Sequence, residues 1–188
     1  MVWTQGCSLR CLGCSNPLAH PHTPRIMVEP RRLARGILGV PGIEGMTVTG
    51  GEPFEQAAAV ATLCCTVREG GLSTMVFTGW SLEFLRSSPC AAVRGLLEQV
   101  DLLVDDPFVQ HLADSTLLWR GSANQRVRFL TTRYGPEILE ERPHPEVEAR
   151  FGGSDALGIT GFPTREDLES LTRHLREDEG IVLERDAC

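Results

Sequence analysis

Residues 45–71 read GMTVTGGEPFEQAAAVATLCCTVREGG, and they hold one complete strand, loop and helix. From Gly45 to Thr49, apolar Met46 and Val48 alternate with threonines, the period of a half-buried strand. Gly50-Gly51-Glu52-Pro53 interrupts that period, and Pro53 suits the first turn of a helix. Val60, Leu63, Cys64 and Val67 then fall at i, i+3, i+4 and i+7, a helix stripe buried along one face. Gly70-Gly71 stops it.

The same unit recurs on both sides. Upstream, Val2 to Gln5 reads as the end of a first strand, and Leu33 and Ile37 share one face of a short helix after Pro30. Downstream come a strand at Thr74 to Thr78, a short helix capped by Ser81, a helix from Ala91 to Gln99 burying Val93, Leu96 and Leu97, and a strand at Asp101 to Asp105. Alternation of this kind predicts an α/β fold with a mainly parallel sheet. Arg126 to Thr131 is a further strand candidate. Pro136 to Pro145 reads as a surface connection, Val147 to Ile159 as a hairpin turning at Gly152-Gly153, and the last helix carries Leu168, Leu171 and Leu175 behind a Thr164–Asp167 capping pair.

A chain of 188 residues, 41% hydrophobic and 23% charged, reads as one domain spanning 1–188, with a core of about 1–135 and an extension of about 136–188. All 18 basic residues are arginine, so a Walker loop and a Schiff-base lysine are excluded. The net charge of -7 argues against general affinity for nucleic acid or anionic membrane. The longest apolar run, Ala57 to Cys65, is too short for a membrane span, and Met1 to Cys7 lacks the pattern of a secretory signal. The expected compartment is a reducing cytoplasm, where clustered cysteines mean metal or redox chemistry.

Cys7, Cys11 and Cys14 place three of the seven cysteines within eight residues, directly after the first strand. Three thiolates around a four-iron cubane leave one iron open to an external ligand, whereas electron-transfer clusters are closed by a fourth cysteine. The competing reading is a structural zinc site completed by His20 or His22, although a solvated loop role suits both histidines, which sit among prolines. Cys64 belongs to the core stripe of its helix, and Cys65, Cys90 and Cys188 show no ligand spacing. Parallel βα sheets gather function at their strand ends. Here those ends carry the cysteine loop, Gly50-Gly51-Glu52-Pro53, Thr78-Gly79-Trp80 and Asp105-Asp106-Pro107. The paired glycines would let a ligand approach the backbone.

Taken together, Trp3-Thr4-Gln5-Gly6-Cys7, Cys11-Leu12-Gly13-Cys14-Ser15-Asn16-Pro17 and Gly50-Gly51-Glu52-Pro53 resemble a radical S-adenosylmethionine enzyme. Thr78-Gly79-Trp80, the stretch from Asp101 to Phe108 and Arg120-Gly121-Ser122-Ala123-Asn124-Gln125-Arg126 narrow the resemblance to the activating proteins of anaerobic ribonucleoside-triphosphate reductase. It covers most of Val2 to Arg128.

The resemblance implies a partial (βα) barrel, followed here by a small C-terminal hairpin and helix. It also implies a [4Fe-4S] cluster on Cys7, Cys11 and Cys14, with S-adenosylmethionine chelated to the open iron and its amino group positioned by Gly50, Gly51 and Glu52. Thr78 would join the cofactor site. Asp105 would face the ribose or a bound cation, with a loop-capping carboxylate as the equal alternative. The implied reaction is reductive cleavage to a 5'-deoxyadenosyl radical that takes hydrogen from a glycine of a glycyl-radical enzyme, with a flavodoxin or ferredoxin-type electron donor. Two other readings stay open: a radical enzyme modifying a peptide or small metabolite, and a non-catalytic metal-stabilised binding module. For Asn124, Gln125 and Arg126 a polar edge or partner surface is favoured over cofactor contact. Three features depart from the family pattern. Only six residues precede Cys7, so either the first strand is cut short or the start is placed late; Asp106 stands where the pattern has glycine; and Val147 to Pro163 is an unassigned addition.

Overall fold

The computed structural model describes residues 1–140, 148–151, 157–160 and 165–178, which divide into two compact units, Met1–Arg142 and Pro143–Cys188. In the first unit the strands are β1 (Val2–Thr4), β2 (Gly45–Gly50), β3 (Ser73–Phe77), β4 (Leu102–Asp105) and β5 (Arg126–Phe129), ordered 1-2-3-4-5 across one sheet. The first three pairings are parallel. The helices between them are α1 (Pro30–Leu38), α2 (Ala57–Glu69), α3 (Leu82–Ser87) and α4 (Ala91–Leu97). Right-handed crossovers taken in sequential strand order put every helix on the same face.

That face holds the main core. The α2 stripe of Val60, Leu63, Cys64 and Val67 is buried, against Met46 and Val48 of β2, Val76 of β3, Leu103 of β4 and Leu96 of α4. Each side chain removed from water there contributes roughly 1.5 to 3 kcal/mol before entropy is subtracted. Two helix ends follow the sequence signals, Ser81 Oγ accepting the Phe84 amide and Gly70 closing α2, while Glu29 caps α1 by accepting the Arg31 and Arg32 amides.

The opposite face is covered from the segment after β4. Met75, Leu102 and Val104 form a second buried cluster, packed by Phe77, Trp119, Val127, Phe129, Tyr134 and Ile138. The expected α/β fold with a mainly parallel sheet is present, and the sheet is open. β5 returns antiparallel to β4 after a loop without a helical crossover, and β1 and β5 are the edges of an open sheet that does not close. In the second unit, β6 (Glu148–Phe151) and β7 (Leu157–Thr160) pair antiparallel as the expected hairpin, and α5 spans Arg165–Asp178. The Gly152-Gly153 turn and the Thr164 cap lie outside the described residues. Among the described residues no helix is long and apolar enough to cross a membrane.

Candidate cluster and cofactor site

The cysteine loop leaves β1 at Gln5 and returns through a 3-10 turn at Pro17–Ala19. Its two arms are bonded to each other: Gly6 N donates to Ala19 O at 2.8 Å, Cys7 N to His20 O at 3.0 Å, and Gln5 Nε2 to Leu18 O and Pro21 O. Cys7 is buried, while Cys11 and Cys14 are half-buried. Burial pushes the Cys11 thiol up; the Phe108 amide opposes this, and the neighbouring thiols of Cys14 and Cys7 add to the rise. The Asn16 amide donates to Cys14 Sγ at 3.4 Å.

Three strand-end loops brace this segment. Gly51 N donates to Thr4 O and Glu52 N to Gly6 O, both at 2.8 Å. Gly79 packs against Leu9, the Phe108 amide is close enough to lower the Cys11 thiol, and Gly13 lies against Gln110. The predicted convergence on one end of the sheet is therefore present. Where a Cβ would stand at either of the paired glycines, the chain itself is close. A Cβ on Gly51 would overlap the Gly6 carbonyl, and one on Gly50, at φ +103°, would strike the Thr4 backbone.

Glu52 is 1% exposed. Its Oε1 accepts the Phe54 amide at 3.0 Å and the Thr78 hydroxyl at 2.8 Å, and its Oε2 accepts the Gly79 amide at 2.9 Å. Burial nevertheless pushes the carboxyl up to about 7, against the lowering effect of those three donors. Thr78 also accepts the Trp80 amide at 3.1 Å, so it is locked between two loops.

Asp105 is fully buried, and its surroundings are those of a capping carboxylate. Its Oδ2 accepts the Leu82 amide at the start of α3, and Arg128 Nε reaches both of its oxygens at 3.0 and 3.2 Å. Asp106, at the position where glycine was expected, has φ +79°, a left-handed conformation in which glycine is least strained. Asn124 Nδ2 donates to Pro107 O and Gln125 Nε2 to Asp106 O, so the Gly-Ser-Ala-Asn-Gln stretch acts as a polar edge fastening the loop after β4. His20 is half-buried with Nε2 unpartnered, unlike the solvated residue expected, and exposed His22 pairs with Glu55. That contact was not legible in the sequence.

The donor set fits a cubane. The three thiols share one loop and match in number the protein ligands of an open-iron cubane, although among the described residues no three His, Cys, Asp or Glu side chains, these thiols included, are gathered around a single point. Cys64 and Cys65 lie on α2, and Cys90 caps α4. A recess of about 550 Å³ at the opposite end of β4, lined by Arg68, Gln99, Asp101, Thr131 and Arg133, involves none of the predicted residues.

Residues 1–128 match the family described as a 4Fe-4S single cluster domain. The anaerobic ribonucleoside-triphosphate reductase-activating protein of Vibrio cholerae is 32% identical over 138 residues, covering 69% of this chain and 86% of that protein. Those of Escherichia coli K12 and Pasteurella multocida are each 28% identical with the same coverage, over 145 and 138 residues. The chain therefore belongs to the 4Fe-4S anaerobic ribonucleoside-triphosphate reductase-activating proteins and is an enzyme of the glycyl-radical-activating type.

Proposed function

We propose that Cys7, Cys11 and Cys14 hold a [4Fe-4S] cluster beside a bound S-adenosylmethionine, and that the chain activates a glycyl-radical enzyme, an anaerobic ribonucleotide reductase being the fitting substrate. A flavodoxin or ferredoxin-type protein is the fitting electron donor. The observation that carries this reading is a loop with three thiols, braced against the carboxyl ends of three parallel strands. When bound, the cluster and S-adenosylmethionine supply one-electron reductive cleavage to methionine and a 5'-deoxyadenosyl radical, which takes hydrogen from the partner's glycine.

The chain's own residues bind and orient. Cys7, Cys11 and Cys14 would hold the cluster and, being three, would leave one iron open to an external ligand. A carboxylate offers about four acceptor positions, and Glu52 uses three of them inside the protein, which leaves one on Oε2 unused. A cation there would favour the ionised form that burial opposes. Thr78 fixes the rotation of that carboxylate. Gly50 and Gly51 keep β1 and the loop after β2 in backbone contact beneath the cysteines. Asp105 acts indirectly, by holding the start of α3 and Arg128.

The test is anaerobic reconstitution followed by iron and sulfide analysis. Wild type should bind about four irons. Cys7→Ala, Cys11→Ala and Cys14→Ala should each lose the cluster, while Cys64→Ala and Cys90→Ala keep it. A strong reductant should then release 5'-deoxyadenosine, and incubation with the reductase should give a glycyl radical by electron paramagnetic resonance. Stoichiometric zinc without sulfide would sink the reading. Cleavage without a glycyl radical would move the substrate to a peptide or small metabolite.

A further inference from the structure

Glu55 lies in the 3-10 turn Pro53–Gln56, outside the residues assigned above to the cluster and its cofactor. Its Oε1 accepts the Ser8 amide at 2.8 Å, and its Oε2 lies 2.7 Å from His22 Nε2. Ser8 follows Cys7 on the outgoing arm of the cysteine loop, and His22 ends the returning arm. One carboxylate thus spans both arms. Beside it, Gln56 Nε2 donates to Gln5 O at 2.8 Å, so consecutive side chains of one turn grip the loop at its base.

We infer that Glu55 is a positioning residue for the cluster, holding the Cys7 arm and the His22 arm together in the form that receives the irons. This rests on the assignment of the cluster to Cys7, Cys11 and Cys14. Two physical consequences follow. The arms stay registered without the cluster, because the contacts involve no thiol. The Ser8 amide is also committed to a carboxylate instead of a sulfur, and hydrogen bonds to sulfur are among the levers that set a cluster's electronic properties. The His22 ring lies over Gly6, where a Cβ would come 2.8 Å from Cδ2, so losing the Glu55 contact also frees the cover of the returning arm.

The experiment uses full-length protein, reconstituted anaerobically, with Glu55→Ala, Glu55→Gln and His22→Ala. Cluster loss to an iron chelator should be about tenfold faster in Glu55→Ala, the usual size of effect for a residue that orients a metal ligand. The reduced cluster's paramagnetic resonance spectrum should change with it. Glu55→Gln keeps an acceptor for Ser8 and a donor for His22, so its retention should lie within about twofold of wild type. Wild-type retention and spectrum in Glu55→Ala would overturn the inference, as would Glu55→Gln losing cluster as fast as Glu55→Ala. If Glu55→Ala does not fold, His22→Ala, at an exposed position, carries the test alone, and unchanged retention there overturns it. If Cys7→Ala keeps its cluster, the cluster assignment fails and Glu55 falls with it. If the cysteine variants lose the cluster while Glu55→Ala retains it, the positioning role alone is overturned.

Discussion

The Thr78 hydroxyl donates to Glu52 Oε1 at 2.8 Å, joining the loop after β2 to the loop after β3 inside the protein. A buried carboxylate raised to about 7 is more readily protonated folded than unfolded, where its ordinary value is 4.5. Its contribution to stability is complete below about pH 4.5 and is lost as pH rises through about 7, an effect on the order of 3 kcal/mol. Urea unfolding of cluster-free protein should therefore show wild type losing its advantage over Glu52→Ala across this range. A difference independent of pH would refute the assignment.

Glycine substitutions should separate by surroundings. Gly51→Ala places a Cβ on the Gly6 carbonyl, where backbone must move, and should cost several kcal/mol and disturb the cysteine loop. Gly36→Ala meets nothing within 4 Å inside α1 and should stabilise by about 0.5 to 1 kcal/mol. Thermal melts of both variants would decide the matter. Equal effects would contradict the packing described for β1 and β2.

Asp106 has a left-handed backbone that costs an ordinary residue about 1 to 2 kcal/mol. Burial and then the neighbouring Asp105 push its carboxyl up, against Arg126, so removing its charge costs little. Asp106→Gly should match or exceed wild type in stability, and Asp106→Ala should fall about 1 kcal/mol below Asp106→Gly. Denaturant midpoints measure this, and an alanine variant as stable as the glycine variant would rule out backbone strain.

The two arginines of β5 should differ sharply. Arg128→Ala strands a fully buried Asp105 and should cost roughly 3 kcal/mol or more. Arg126 is half-exposed beside Asp106, and its loss should cost less than about 1 kcal/mol. Comparable losses in equilibrium unfolding would show that Asp105 does not depend on Arg128.

The periodicity of residues 45–71 identifies a strand and a one-sided helix without reference to any partner, because each pattern records which face meets the core. The cysteine spacing likewise specifies one loop with three thiols, since all three ligands are local in sequence. What only the tertiary structure decided was which distant groups meet. A period of two is the same in parallel and antiparallel strands, so the reversed direction of Arg126–Phe129 was not legible. Gly50 and Gly51 announce close approach without saying to what, and the chain that lies against them, β1 and Gly6, is more than forty residues earlier. Glu52 finds Thr78 and Gly79 across 26 and 27 residues, and Glu55 finds Ser8 across 47, because parallel crossovers bring the strand ends together. Local chemistry chooses the element; register and crossover choose the hydrogen-bond partner, and with it the use each carboxylate has.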